Sequence, residues 1–428
     1  MNFSKESEEL MPFFINNVRD FSFENNDSKE NKKSQKNKLF DDFLSKFVDN
    51  IRYAEKYIKN YKSSIQKTTI KISKNGNTRS QHFKSNYLIP NEYLMHIKEH
   101  AYVILQYKFT YLNRTFTINN YLLNQDDVKK IHIYDTEMER MFMWLIIVSK
   151  KNKETKCSRN LVTNIYRTNF KKKIPSDHVV ILSNKHVNSA FTTSCTENGE
   201  IVIYRQEELF KVFIHETFHV FGLDFSDSNN MQLHNKFKKI FQIKSDFNVY
   251  EAYTEFWART INSIFTGFFI YGSQKSKEQT ITYAKICIHL EQMYALHQTV
   301  KILNFVGLEY TDLYKMDDTS KIKRENLYRE DTNVFSYYII TMLLLIHTKD
   351  FIYWCDRNNE RKCIFKFNSD IKTKNLFFIF IKERYGSEFV LNNISKMKKF
   401  IINIYQGKMF EEKKILFNNL RMSLCEFV

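Results

Sequence analysis

The sequence predicts an α+β fold, and three observations carry that expectation. Hydrophobic residues make up 43% of the 428 residues, with only 8 Gly and 3 Pro. A large core is therefore within reach, and collagen-like, linker-rich or wholly disordered chains are excluded. Strand-type runs rich in Tyr, Phe, Thr and Ile crowd residues 63–166. Beyond Gly267 the apolar residues recur mostly at helical spacing. A chain of this length holds roughly two to three domains of about 100–200 residues.

Taken in order, residues 1–20 read as weakly helical and 21–38 (FSFENNDSKENKKSQKNK) as a polar linker. Phe40, Phe43, Phe47, Ile51 and Tyr57 then recur on one face of an amphipathic helix. Thr68 to Ile72 reads as a strand, and Asn75-Gly76 as a hairpin-type turn. Tyr102 to Tyr121 suggests further strands with a turn at Asn113-Arg114, and Met141 to Val148 is a further apolar run. Val179 to Leu182 reads as a short buried strand, Glu197 to Glu200 as a turn, and Ile201 to Tyr204 as a second strand. A helix follows over Gln206 to Phe221. Glu207 and Glu208 lie near its positive end, and Gly222-Leu223 forms a C-terminal glycine cap.

That helix carries the string His215-Glu216-Thr217-Phe218-His219. Residues four apart lie on one face of a helix, so His215 and His219 can direct two imidazoles at one metal ion. Glu216 sits beside the first ligand, where a carboxylate can accept a proton from water acidified by zinc. A catalytic zinc site needs a third protein ligand and an open position. The metzincin pattern would place a third His at position 225, which is Phe225. A carboxylate from a later helix is the alternative. Glu251 and Glu255 share a face of the expected helix Tyr250 to Ala258, while Asp224, Asp227 and Asp246 fall in expected loops as weaker rivals.

HETFH followed by an E-x-x-x-E helix resembles the gluzincin, thermolysin-like zinc metallopeptidases. The resemblance covers roughly residues 175–260. It implies Glu251 as the third zinc ligand and Glu255 as the carboxylate that orients a ligand histidine. It also implies a zincin-like core, in which a small mixed sheet sets an edge strand above the active helix and peptide substrate adds to that edge. Gly199, Ile201 and Ile203, within Gly199 to Tyr204, are the expected edge. Asn188-Ser189-Ala190-Phe191 resembles the Asn-Ala-aromatic strand of the family. The family takes a Tyr or His from the downstream domain to stabilise the oxyanion. Tyr337, Tyr338 and His347 are candidates, with Tyr338 preferred and packing the competing role for each. His289 and His297 stand eight apart rather than four.

The strings IHETFH, FGLDFS and EAYTEFWA also resemble predicted metallopeptidases of giant DNA viruses, and the Lys/Asn/Ile/Phe-rich composition suits an AT-rich source. The expected organisation is an N-terminal helical segment over 1–62, an α+β domain over 63–170, a zincin catalytic core over 171–270 and a mainly helical C-terminal domain over 271–428. The expected activity is peptide-bond hydrolysis by zinc-bound water activated by Glu216, on a peptide or protein substrate.

Two other readings are open. One is a viral structural or interaction protein whose zinc site is not catalytic. The other is a nucleic-acid-binding protein, or one with another acidic partner, suggested by the net charge of +17. The basic residues are scattered rather than massed, which also suits an ordinary solvated surface. Six cysteines, never spaced CxxC, suit a reducing compartment rather than a disulfide framework. No secretory signal is evident at the N-terminus, and the longest apolar run, Ile339 to Ile346, is far short of the about 20 residues of a membrane span. The expected setting is intracellular and cytoplasmic, or a virion or viral factory if the source is viral. No G-x-S-x-G, phosphate-loop or dinucleotide glycine motif occurs.

Overall fold

The computed structural model describes residues 3–24, 30–72, 88–154, 156–270, 276–406 and 414–427. The elements in the first half are α1 (Lys5–Ile15), α2 (Glu30–Asn60), β1 (Gln66–Lys71), α3 (Asn91–His100), β2 (Val103–Tyr111), β3 (Arg114–Leu122), α4 (Ile131–Lys151) and β4 (Asn160–Tyr166). After them come β5 (Leu182–Ser183), α5 (Asn184–Val187), β6 (Ala190–Thr192), β7 (Asn198–Ile203), α6 (Leu209–Val220), α7 (Met231–Ile240) and α8 (Val249–Phe269). The rest is α9 (Lys277–Phe305), α10 (Asp318–Leu327), β8 (Glu330–Asp331), a π-helical turn (Phe335–Ile340), α11 (Thr341–Ile346), α12 (Thr348–Asn358), α13 (Ile371–Lys382), α14 (Glu388–Gln406) and α15 (Lys414–Asn418). The fold is mixed α and β, as expected. The chain divides into a sheet unit, residues 47–171 and 188–223, and a helical unit, residues 1–46, 172–187 and 224–427. The segment 171–270 is thus shared between the two.

The sheet unit is built on a mixed six-stranded sheet in the order β1-β2-β3-β4-β7-β6. β2 and β3 form a hairpin whose turn is Leu112-Asn113, both at positive φ (48° and 59°). That places the turn one residue before the expected Asn113-Arg114, because two consecutive left-handed residues match the twist of the flanking strands. β3, β4 and β7 run parallel, and β6 returns antiparallel to β7. Parallel neighbours need a crossover, and α4 supplies the one from β3 to β4. Its run Met141 to Val148 is buried on every side, with Trp144 stacked 6.2 Å from Phe218 of α6. A second apolar layer gathers Tyr93, Ile97, Ile104, Tyr121, Tyr166 and Tyr204.

The helical unit is organised on α8 and α9, two long helices buried over most of their length. Gly267 permits their close approach: a Cβ there would lie 2.5 Å from the backbone nitrogen of Ala284. Arg259 of α8 pairs with Glu291 of α9 at 2.8 Å, both essentially without solvent exposure. The Glu291 carboxylate also accepts from the backbone nitrogens of Leu424 and Cys425 and from Ser423 Oγ. The C-terminal segment therefore lies within this core, with Leu420 to Cys425 buried.

Three expectations are corrected here. Residues 30–38 are the first turns of α2 rather than linker. Val179 to Ile181 is an exposed loop rather than a buried strand, with Val179 85% exposed, and only Leu182–Ser183 forms a strand, paired with β8. The cysteines also include one bridge, Cys157 to Cys195, while Cys287, Cys355, Cys363 and Cys425 are buried thiols outside any disulfide. The Asn75-Gly76 turn lies outside the described residues. Among the described residues, no helix is long and apolar enough to cross a membrane.

Candidate metal centre

Helix α6 begins at Leu209, three residues later than expected. Glu208 precedes it in the left-handed region (φ 61°), and Glu207 and Glu208 are buried rather than solvated first-turn acids. Every residue from Lys211 to Val220 is buried, so sheet and α4 packing rather than intrinsic propensity makes this a helix. Its C-terminal end follows the Schellman pattern. The Leu223 nitrogen donates to the Phe218 carbonyl at 2.9 Å, and the Gly222 nitrogen to the His219 carbonyl at 2.9 Å. Gly222 supplies the required positive φ of 60°.

Within this frame His215 and His219 turn their Nε2 atoms towards each other at 3.2 Å. Two ligands on a tetrahedral zinc with Zn–N bonds of about 2.0–2.1 Å stand about 3.3 Å apart. The observed separation is thus the edge length that such an ion requires. Both histidines and Glu216 are more than nine-tenths buried, as expected of groups presented by a packed helix.

Glu251 and Glu255 lie on α8, where Glu251 falls in the first turn after Asn248. Glu255 is fully buried. Two imidazole nitrogens at the spacing of His215 and His219 are donors suited to zinc, and a catalytic zinc takes a third protein ligand and keeps a fourth position open. Burial and the charges of Glu251 and Asp224 raise the pKa of Tyr250, which keeps that phenol protonated.

Of the rival carboxylates, Asp227 is exposed, and Asp246 lies 3.5 Å from both Lys238 and His234. Asp224 is buried. It accepts from Ser226 Oγ at 2.8 Å and approaches Thr254 Oγ1 at 3.4 Å. The sequence marked it only as a loop acid following the helix cap.

Two further placements differ from expectation. Tyr338 sits in the π-helical turn, buried among Leu182, Val187, Ile302, Leu420 and Met422. Its hydroxyl donates to the Leu420 carbonyl at 2.5 Å, which ties down the C-terminal segment and gives it the packing role. Gly199, Ile201 and Ile203 belong to β7, which is not the sheet edge. β7 pairs with β4 on one side, and Thr192 to Ala190 of β6 cover Ile201 to Ile203 on the other. The edge is β6, the strand of Asn188-Ser189-Ala190-Phe191. Comparison of the chain with protein-family models, curated proteins and solved structures finds no match among any of them.

Proposed function

We propose that the protein is a zinc-dependent peptidase of gluzincin type, with the sheet unit's strands and α6 as its zincin-like core. The carrying observation is the pairing of His215 and His219 on one buried face of α6, nitrogens 3.2 Å apart, with Glu216 beside them on the same helix. Zinc held there supplies Lewis acidity, which acidifies water and polarises a peptide carbonyl. His215 and His219 bind through Nε2, and Glu251 through a carboxylate oxygen. Glu255 orients a ligand histidine. The Glu216 carboxylate accepts the proton of the attacking water and passes it to the departing amine nitrogen.

Peptide substrate adds along β6, whose outer side has no strand partner among the described residues. Strand addition supplies main-chain hydrogen bonds independently of side-chain sequence. The four buried cysteines outside any disulfide suit an intracellular setting.

Glu216→Gln tests the reading directly. This variant is expected to retain about one zinc and lose peptide turnover by at least about a hundredfold. His215→Ala is expected to lose both. Peptidase activity retained in either purified variant contradicts the proposal.

A further inference from the structure

We propose that Cys157 and Cys195 form a reversible thiol–disulfide site whose state sets how firmly the C-terminal end of α6, and with it His219, is held. The consequence for metal binding rests on the function proposed above; the clamp itself does not.

The two cysteines lie on separate loops of the sheet unit, one following α4 and one between β6 and β7. Both loops meet at the glycine that closes α6. A Cβ on Gly222 would stand 3.2 Å from Cys157 Sγ and 3.3 Å from Cys195 Cβ, so the bridge packs directly on the cap. The residues flanking Cys157 hold the helix's last carbonyls. Ser158 Oγ donates to the Val220 carbonyl at 2.8 Å, and Asn152 Nδ2 to the Phe221 carbonyl at 3.1 Å. These are carbonyls that a helix end leaves without intrahelical donors. Arg114, fully buried, gathers the same loop by donating to the carbonyls of Asn152, Glu154, Cys157 and Ser158, and lies 4.6 Å over the Phe221 ring.

On its other side the loop is tied to residues 195–197 by the bridge and by two backbone bonds, Ser158 N to Thr196 O and Asn160 N to Glu197 O. Ser158 is held at φ 55°, a left-handed conformation that a serine keeps only when its surroundings impose it. Opening the bridge releases one of those constraints. The first bonds to loosen are those on Val220 and Phe221, within one turn of His219.

The other four cysteines are buried, whereas Cys157 and Cys195 are half-buried and within reach of small thiols. In a reducing compartment, bridges of this kind are transient and redox-sensing. The closing reaction is exchange with a low-molecular-weight disulfide, with oxidised glutathione as its representative. One protein thiolate attacks the glutathione S–S bond and expels a glutathione thiolate. The second protein thiolate attacks the mixed disulfide and expels the other. The Cys157–Cys195 bond forms, two electrons pass to glutathione, and the two protein thiol protons end on its two thiols.

The test is hydrogen exchange of the full-length protein, read by mass spectrometry over residues 213–223. It compares three samples: oxidised with glutathione disulfide, reduced with dithiothreitol, and the double variant Cys157→Ser/Cys195→Ser. Maleimide labelling reports the thiols, and zinc affinity is measured by competition with a chelator. We expect the amides of Val220 to Leu223 to exchange at least about tenfold faster in the reduced and variant samples and to recover on reoxidation. Zinc affinity is expected to fall about tenfold, the scale of a lost supporting contact around a ligand. Equal exchange in all three samples overturns the proposal, as does failure of glutathione disulfide to protect both thiols from maleimide. If exchange responds to oxidation while zinc binds in neither state, the clamp stands and the metal reading falls.

Discussion

Replacing Glu291 by Gln isolates the charge that joins α8 to α9 and both to the C-terminal segment. The Glu291 carboxylate is 1% exposed and meets five donor groups. Arg259 Nε and Nη2 lie 3.0 and 2.8 Å from one oxygen. Ser423 Oγ, Leu424 N and Cys425 N lie 2.6, 2.8 and 2.9 Å from the other. A glutamine offers one accepting oxygen and one NH2, so in either orientation the NH2 faces donors. Arg259, also 1% exposed, keeps its charge with its partner neutralised. Breaking a buried pair in this way costs about 3–5 kcal/mol. Urea unfolding of wild type and Glu291→Gln, followed by far-UV dichroism, is expected to show a loss of that size. Limited proteolysis should then cut within residues 419–427 in the variant before wild type. A loss below about 1 kcal/mol refutes the reasoning, because it would mean that water or a rearranged tail satisfies Arg259 at little cost.

Gly267→Ala is expected to destabilise by about 1–3 kcal/mol, read as a lowered Tm, because its Cβ would meet backbone atoms of α9 that cannot swing aside. Glu330 makes stability fall as pH rises. Burial raises its folded pKa to about 8, ahead of the opposing hydrogen bonds from Tyr328 and the Phe335 nitrogen. Between the ordinary value of 4.5 and about 8 the unfolded chain loses this proton while the folded chain keeps it. Each pH unit inside that window then costs up to about 1.4 kcal/mol. The difference in unfolding free energy between wild type and Glu330→Gln, measured at pH 5 and pH 7, should shift by about 2 kcal/mol in that direction. An unchanged difference counts against a neutral buried carboxyl.

Legibility followed from how local each signal is. The histidine pair and its cap could be read because helix period and left-handed glycine are local rules, and Gly222 obeys both. The helix start could not, since Glu207 and Glu208 look like solvated first-turn acids and only tertiary packing buries them. The Gly199 to Tyr204 strand was expected at the edge. Its run Ile201-Val202-Ile203-Tyr204 is buried on both faces, which is the pattern of an internal strand. Val179-Val180-Ile181 is too short a run to carry periodicity, so its exposure was not readable. The Cys157–Cys195 bridge joins residues 38 apart in the chain, and no spacing rule links them. The role of Tyr338 depended on where the C-terminal segment runs, which is a long-range property.

The most direct measurement is zinc stoichiometry by elemental analysis of wild type, His219→Ala and Glu251→Ala, purified without added metal and with folding checked by dichroism. The account predicts about one zinc per chain in wild type and a large loss in both folded variants, as a site of three protein ligands requires. Wild type without zinc, or Glu251→Ala that keeps a full equivalent, contradicts it.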